Sequence, residues 1–103
     1  MQVRFSKEKI NDPVKFIRRC GYGQMSDRHS GEKSYSKRFG ALLYPRFHVY
    51  IKAGADSFTF NLHLDQRQPS YRGVTAHSGE YDGEVVEREG ERLRLMAENF
   101  LNK

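Results

Sequence analysis

The groups best suited to chemistry in this sequence are its four histidines and the carboxylates near them. His63 and Asp65 stand two apart in the run Ser57-Phe-Thr-Phe-Asn-Leu-His-Leu-Asp65, so on a strand both side chains leave from one face. His77 follows after a loop and precedes an acidic stretch that holds Glu80, Asp82, Glu84 and Glu87. Two neutral imidazoles and a carboxylate suit a divalent transition metal, and the same groups can act as general acid and base. His63, Asp65 and His77 are therefore the candidate metal site. Without a metal they form a polar cluster that pins residues 66–79 over the end of a sheet. The spacing is not a specific motif, since neither HExxH nor paired Cys/His is present.

A second set of residues points to binding. Lys37 or Arg38, together with Arg46, His48, Tyr50, Lys52 and Asn61, would share the polar face of a sheet. Cations for phosphate with an aromatic ring for base stacking are what proteins present to single-stranded nucleic acid. Tyr50 is one ring where stacking platforms usually show several, and it also fits an ordinary cross-strand pair with Thr59. No RNP-type motif is present. Nucleophilic catalysis has less support: Ser70 and Ser78 lack a GxSxG context, and Cys20 falls in a short helix as a small buried hydrophobe.

The elements that must position these groups begin with residues 46–65. Arg46-Phe-His-Val-Tyr-Ile-Lys52 and Ser57 to Asp65 alternate on either side of Ala-Gly-Ala-Asp, the pattern of an antiparallel hairpin. Closing it with Lys52 opposite Ser57 pairs Phe47 with Leu62, Val49 with Phe60 and Ile51 with Phe58. Arg46 then faces His63, and His48 lies diagonally from His63. One face is oily and the other polar.

Upstream, Asp12 suits a helix N-cap, Pro13 the first turn and Gly21 the position past the end, with Val14, Phe16, Ile17 and Cys20 between them. Residues 2–10 fit either a short strand or a helical turn. Residues 21–34 read as a long loop, and 35–41 as a third strand. Downstream, Val85, Val86, Leu93, Met96, Ala97, Phe100 and Leu101 recur at helical spacing after a cap at Ser78 or Asp82. Gly90 is a weak point in that helix.

The expected fold is α+β, a two-layer sandwich. A three-stranded antiparallel sheet (about 35–41, 46–52 and 57–65) is covered on one face by a C-terminal helix (about 82–101) and a short N-terminal helix (about 13–20). Residues 1–103 make one domain, its core holding Phe47, Phe58, Phe60, Leu62, Leu93, Met96 and Phe100. Seven Phe and six Tyr offset a modest apolar share and argue against disorder.

The net charge of +5 is uneven: residues 1–52 carry twelve Lys/Arg against four Asp/Glu, and residues 53–103 carry six against nine. A basic half fits a polyanion partner, and equally fits salt bridging to the acidic half. No apolar run reaches the roughly 18 residues of a membrane helix, and a lone cysteine permits no internal disulfide. The expectation is a small cytoplasmic binding module without a membrane role, which contacts RNA, single-stranded DNA or another polyanion. The alternatives are a small metal-binding protein or hydrolase with its His/Asp site in 63–82, whose cofactor would be a divalent metal, and a protein-interaction subunit.

Overall fold

The computed structural model describes residues 1–26, 33–66, 79–80 and 83–100. In chain order these form β1 (Gln2–Ser6), α1 (Pro13–Arg19), β2 (Gly23–Ser26), β3 (Lys33–Arg38), β4 (Arg46–Ala53), β5 (Ser57–Asp65), β6 (Gly79–Glu80) and α2 (Glu84–Glu98). The fold is α+β, with one antiparallel sheet in the order β1-β5-β4-β3-β2. The short β6 pairs with Leu64 and Asp65, beyond the stretch of β5 that β1 occupies.

Two of these strands correct the three-stranded expectation. Residues 2–6 become an edge strand because Val3 and Phe5 alternate with exposed Gln2, Arg4 and Ser6. Gly23–Ser26, expected within a loop, pairs with Lys33–Ser36 as the opposite edge. Four residues without an apolar rhythm give no periodic signal, so only pairing identifies them as a strand. The third strand also begins earlier than expected and ends at Arg38, before Gly40.

The β4–β5 hairpin keeps the expected faces but shifts its register by two residues. Phe47 faces Leu64, Val49 faces Leu62 and Ile51 faces Phe60. The backbone N–H of Gly54 donates to Ser57 O at 2.8 Å, so the tip is the two residues Ala55 and Asp56. Two-residue loops are the commonest hairpin connection. An even shift preserves the alternation of faces, which leaves the oily side unchanged and alters every facing pair.

Helix α1 follows its sequence signals closely. The Asp12 carboxylate accepts the Lys15 N–H at 3.0 Å, and Pro13 opens the first turn. At the other end the Gly21 N–H donates to Arg18 O and the Tyr22 N–H to Ile17 O. This Schellman closure needs a left-handed residue, which Gly21 supplies at φ 100°.

Helix α2 begins after Gly83 with no side-chain cap; Ser78 and Asp82, expected as caps, lie outside the described residues. It buries Val86, Glu89, Gly90, Leu93 and Ala97. Met96, expected in the core, is 37% exposed because it lies at the edge of this stripe. Gly90 packs against the end of the Met1 side chain, which would have to move if a methyl group were added there.

The core lies between the helices and the oily sheet face. Val3, Phe5, Phe47, Val49, Phe60, Leu62 and Leu64 meet Phe16 and Ile17 of α1 and Val86, Leu93 and Ala97 of α2. Phe5, Phe16 and Phe60 meet edge-to-face with centroids 5.4 to 5.8 Å apart, and Phe100 joins Phe16 at 5.2 Å. Both helices pack on this one face, so the His/Asp groups belong to the other. No described helix is long and apolar enough to cross a membrane.

Candidate functional site

The polar face can be read from the register. Arg4 of β1 faces Thr59, Arg46 faces Asp65, His48 faces both His63 and Ser36, and Tyr50 faces both Asn61 and Ser34. Arg38 of β3 faces Arg46, and Lys52 faces Thr59. Among the described residues, these strands therefore place Arg4, Arg38, Arg46 and Lys52 with a single carboxylate, Asp65, on the side away from both helices. Arg4, Arg38 and Lys52 are exposed.

At the centre of this face three side chains converge. His48 and His63 sit directly opposite on adjacent strands, with ring centroids 4.8 Å apart. Asp65, two residues along from His63, receives His63 Nε2 at 3.0 Å, His48 Nδ1 at 3.2 Å and Arg46 Nε at 3.2 Å. On the far side of its ring, His48 Nε2 meets Ser34 Oγ at 2.9 Å. Tyr50 closes over the pair, its ring 5.9 Å from His63 and nearly parallel at 18°. The cluster is well buried for so polar a group: His48 is 8% exposed, His63 7% and Ser34 2%.

Burial alone would push the Asp65 carboxyl upward, since it penalises the charge. Hydrogen bonds from His48 and His63 outweigh this and hold the carboxyl well below the ordinary carboxylate range. Asp65 is therefore an anion at neutral pH, and charge-assisted bonds of this kind are among the stronger ones available.

Asp65, His48 and Ser34 are bonded in the order carboxylate, imidazole, hydroxyl, the sequence of groups in an acid–base–nucleophile relay. Ser34, however, lies in the middle of the sheet and is almost fully buried, so its hydroxyl orients His48 rather than meeting a substrate.

The structure brings together two members of the expected metal set, His63 and Asp65, and adds His48 and Ser34. His77 lies outside the described residues. His48 was expected on the binding surface; the two-residue register shift moves it from a diagonal to a direct position opposite His63.

Of the residues expected for nucleic-acid contact, Arg38, Arg46, His48, Tyr50, Lys52 and Asn61 do share the polar face. Lys37 does not: it faces Phe47, and its aliphatic stem runs past Gly21 on the helix side. The Arg46 guanidinium is committed to Asp65 and lies 4.5 Å over the Tyr44 ring. Two depressions flank the cluster. One, of about 360 Å³, is lined by Lys33, Tyr50, Ile51, Lys52 and Asn61. The other, of about 300 Å³, includes Gly23, Met25, Ser36, Arg38 and Arg46.

A second buried polar group, which the sequence reading missed, lies on the helix side. The Tyr22 hydroxyl donates to Glu89, and Arg92 forks onto the same carboxylate with Nε at 2.6 Å and a terminal nitrogen at 2.8 Å. Arg92 also donates to Cys20 O at 2.7 Å. Glu89 sits between Val86 and Leu93 on the apolar stripe, and a charge at a core-facing helical position was the signal available.

These partners satisfy one another and tie α2 to the end of α1. Burial, with Glu89 adding to it, pushes the Tyr22 phenol well above its ordinary range. Burial likewise pushes the Cys20 thiol up to about 11, so this cysteine is a packed hydrophobe and a poor nucleophile. Comparison of the chain with family models, curated proteins and solved structures gives no match.

Proposed function

We propose that this protein is a small cytoplasmic binding module that holds single-stranded nucleic acid, or a chemically similar polyanion, on the helix-free face of its sheet. The observation behind this reading is the composition of that face. Arg4, Arg38 and Lys52 project from three different strands, and the one carboxylate beside them among the described residues, Asp65, is neutralised by Arg46. A single strand laid across the sheet would meet cations on either side of the His48/Tyr50 centre. The depressions beside Lys52 and Arg38 have the size of small-ligand clefts, roughly 300–1,000 Å³.

Binding of labelled single-stranded RNA and DNA, measured across a salt series, tests the reading. Affinity should fall as salt rises because phosphate contacts release counterions. Arg4→Ala, Arg38→Ala and Lys52→Ala should each weaken binding and lower the salt slope by about one. Lys37→Ala, on the opposite face, should leave it unchanged. If neither nucleic acid is retained at about 50 mM salt, where such contacts are strong, the reading falls.

A protein-interaction role has one observation in its favour. Phe39, Leu42 and Leu43 are exposed at the β3–β4 connection, Leu42 by 77%. Self-association that disappears on Leu42→Ser would favour that role.

A further inference from the structure

The buried centre of the polar face carries more than loop-pinning requires. We propose that His48 Nδ1, His63 Nε2 and an Asp65 carboxylate oxygen form a site for one divalent transition metal ion of the zinc type. The site stands independently of the polyanion reading, since it needs only these residues and a metal.

Three observations support it. First, one potential ligand atom from each residue lies within 4.8 Å of the other two. His63 Nε2 lies 3.0 Å from one Asp65 oxygen and His48 Nδ1 lies 3.2 Å from the other, so binding through a single oxygen requires the carboxylate to turn as well. Ligand atoms about 2.0–2.1 Å from a tetrahedral ion lie roughly 3.3 Å apart, so both separations are already close to those of a coordinated set. Bringing the two nitrogens onto one ion takes side-chain rotation, with the backbones fixed by strand pairing.

Second, the donors stand on rigid elements. His48 and His63 are a facing pair in the two central strands, and Asp65 is held between Arg46 on β4 and Gly79 on β6.

Third, Ser34 gives His48 an outer partner that serves in both states. Without metal, His48 Nδ1–H donates to Asp65, and Nε2 accepts the Ser34 hydroxyl proton. With metal, Nδ1 offers its lone pair to the ion, and Nε2–H donates to the same hydroxyl, which turns to accept it. A hydroxyl is the side-chain group that can do both at one distance.

The donor set also defines the ion. Two imidazoles and one carboxylate favour zinc, cobalt, nickel or copper over magnesium or calcium, which require several oxygens. Arg46 beside Asp65 adds a positive charge that disfavours any cation. The affinity should therefore be weaker than that of a closed four-ligand structural site. Three protein ligands leave a position for water, the arrangement of open rather than structural sites.

The test uses chelator-treated full-length protein titrated with cobalt(II) and then zinc(II). One equivalent of cobalt should produce the visible bands of a nitrogen/oxygen site, and zinc should displace it. Zinc should raise the melting temperature, whereas magnesium and calcium should not. His63→Gln and Asp65→Asn should abolish the cobalt bands, and Ser34→Ala should weaken zinc binding by about tenfold, the low end for an outer-shell partner.

In unaltered protein, where no variant has to fold, zinc should shift the ring resonances of two histidines together. Absence of cobalt binding overturns the proposal, as does binding that survives both His63→Gln and Asp65→Asn. A sulfur-to-cobalt charge-transfer band would place the ion on Cys20 and overturn it as well.

Discussion

Asp65 does more than any other single residue on the polar face. Its carboxylate receives three nitrogens from three residues on two strands, so its removal leaves Arg46 and two imidazoles without their shared acceptor. Truncation of a half-buried acceptor with several donors should cost about 2–4 kcal/mol, between a lost hydrogen bond and a broken buried ion pair. Chemical denaturation of Asp65→Ala in the presence of chelator measures this, and a loss below about 0.5 kcal/mol, the range of an ordinary surface change, would show that the cluster contributes nothing. The sequence revealed this residue but not its company. The spacing of two from His63 was visible, whereas the partnership with His48 depended on a hairpin tip of two residues rather than four. No rhythm of apolar residues distinguishes those closures, because both keep the same faces.

At the scale of elements, the caps of α1 and the faces of the central hairpin were legible because each rests on local chemistry. Asp12, Pro13 and Gly21 marked α1 nearly to the residue. The edge strands were less legible: β1, with only two apolar residues, fits either of two readings, and β2 has no alternation to detect. Helix α2 was found with much of its buried stripe, Val86, Leu93 and Ala97, but the place of Glu89 on that stripe was not, since hydrophobicity alone assigns no core position to a carboxylate. Unequal burial of Phe60 and Met96 makes an uneven pair of expected costs. Phe60→Ala, which removes a fully buried ring from the aromatic cluster, should cost roughly 3–5 kcal/mol. Met96→Ala should cost less than about 1 kcal/mol, because the side chain is partly in solvent. Urea titrations of both variants check the pair, and equal losses would mean that Met96 is packed into the core as fully as Phe60.

Across the whole molecule, the two buried polar clusters sit on opposite sides of the sheet and respond to opposite ends of the pH scale. Asp65 has a folded pKa below its unfolded value of about 3.9. Its stabilising effect is therefore complete above that value and is lost as pH falls further toward the folded pKa. Tyr22 has the reverse sign. Its phenol ionises near 10 in the unfolded chain and well above that in the folded protein. Its contribution is complete below about 10 and declines as pH rises beyond it, because the unfolded state gains a charge that the folded state resists. Cys20, raised to about 11 by burial, works in the same direction from a lower unfolded value, near 8.5. The two limbs separate by mutation. The stability difference between unaltered protein and Tyr22→Phe should be constant through neutral pH and shrink above about pH 10. Against Asp65→Asn, in chelator, the difference should hold at alkaline pH and shrink below about pH 4. Denaturation midpoints taken from pH 3 to 11, a range that spans both unfolded pKa values, supply both curves. A Tyr22→Phe difference that stays flat above pH 10 would mean that the phenol is neither buried nor held by Glu89 as described.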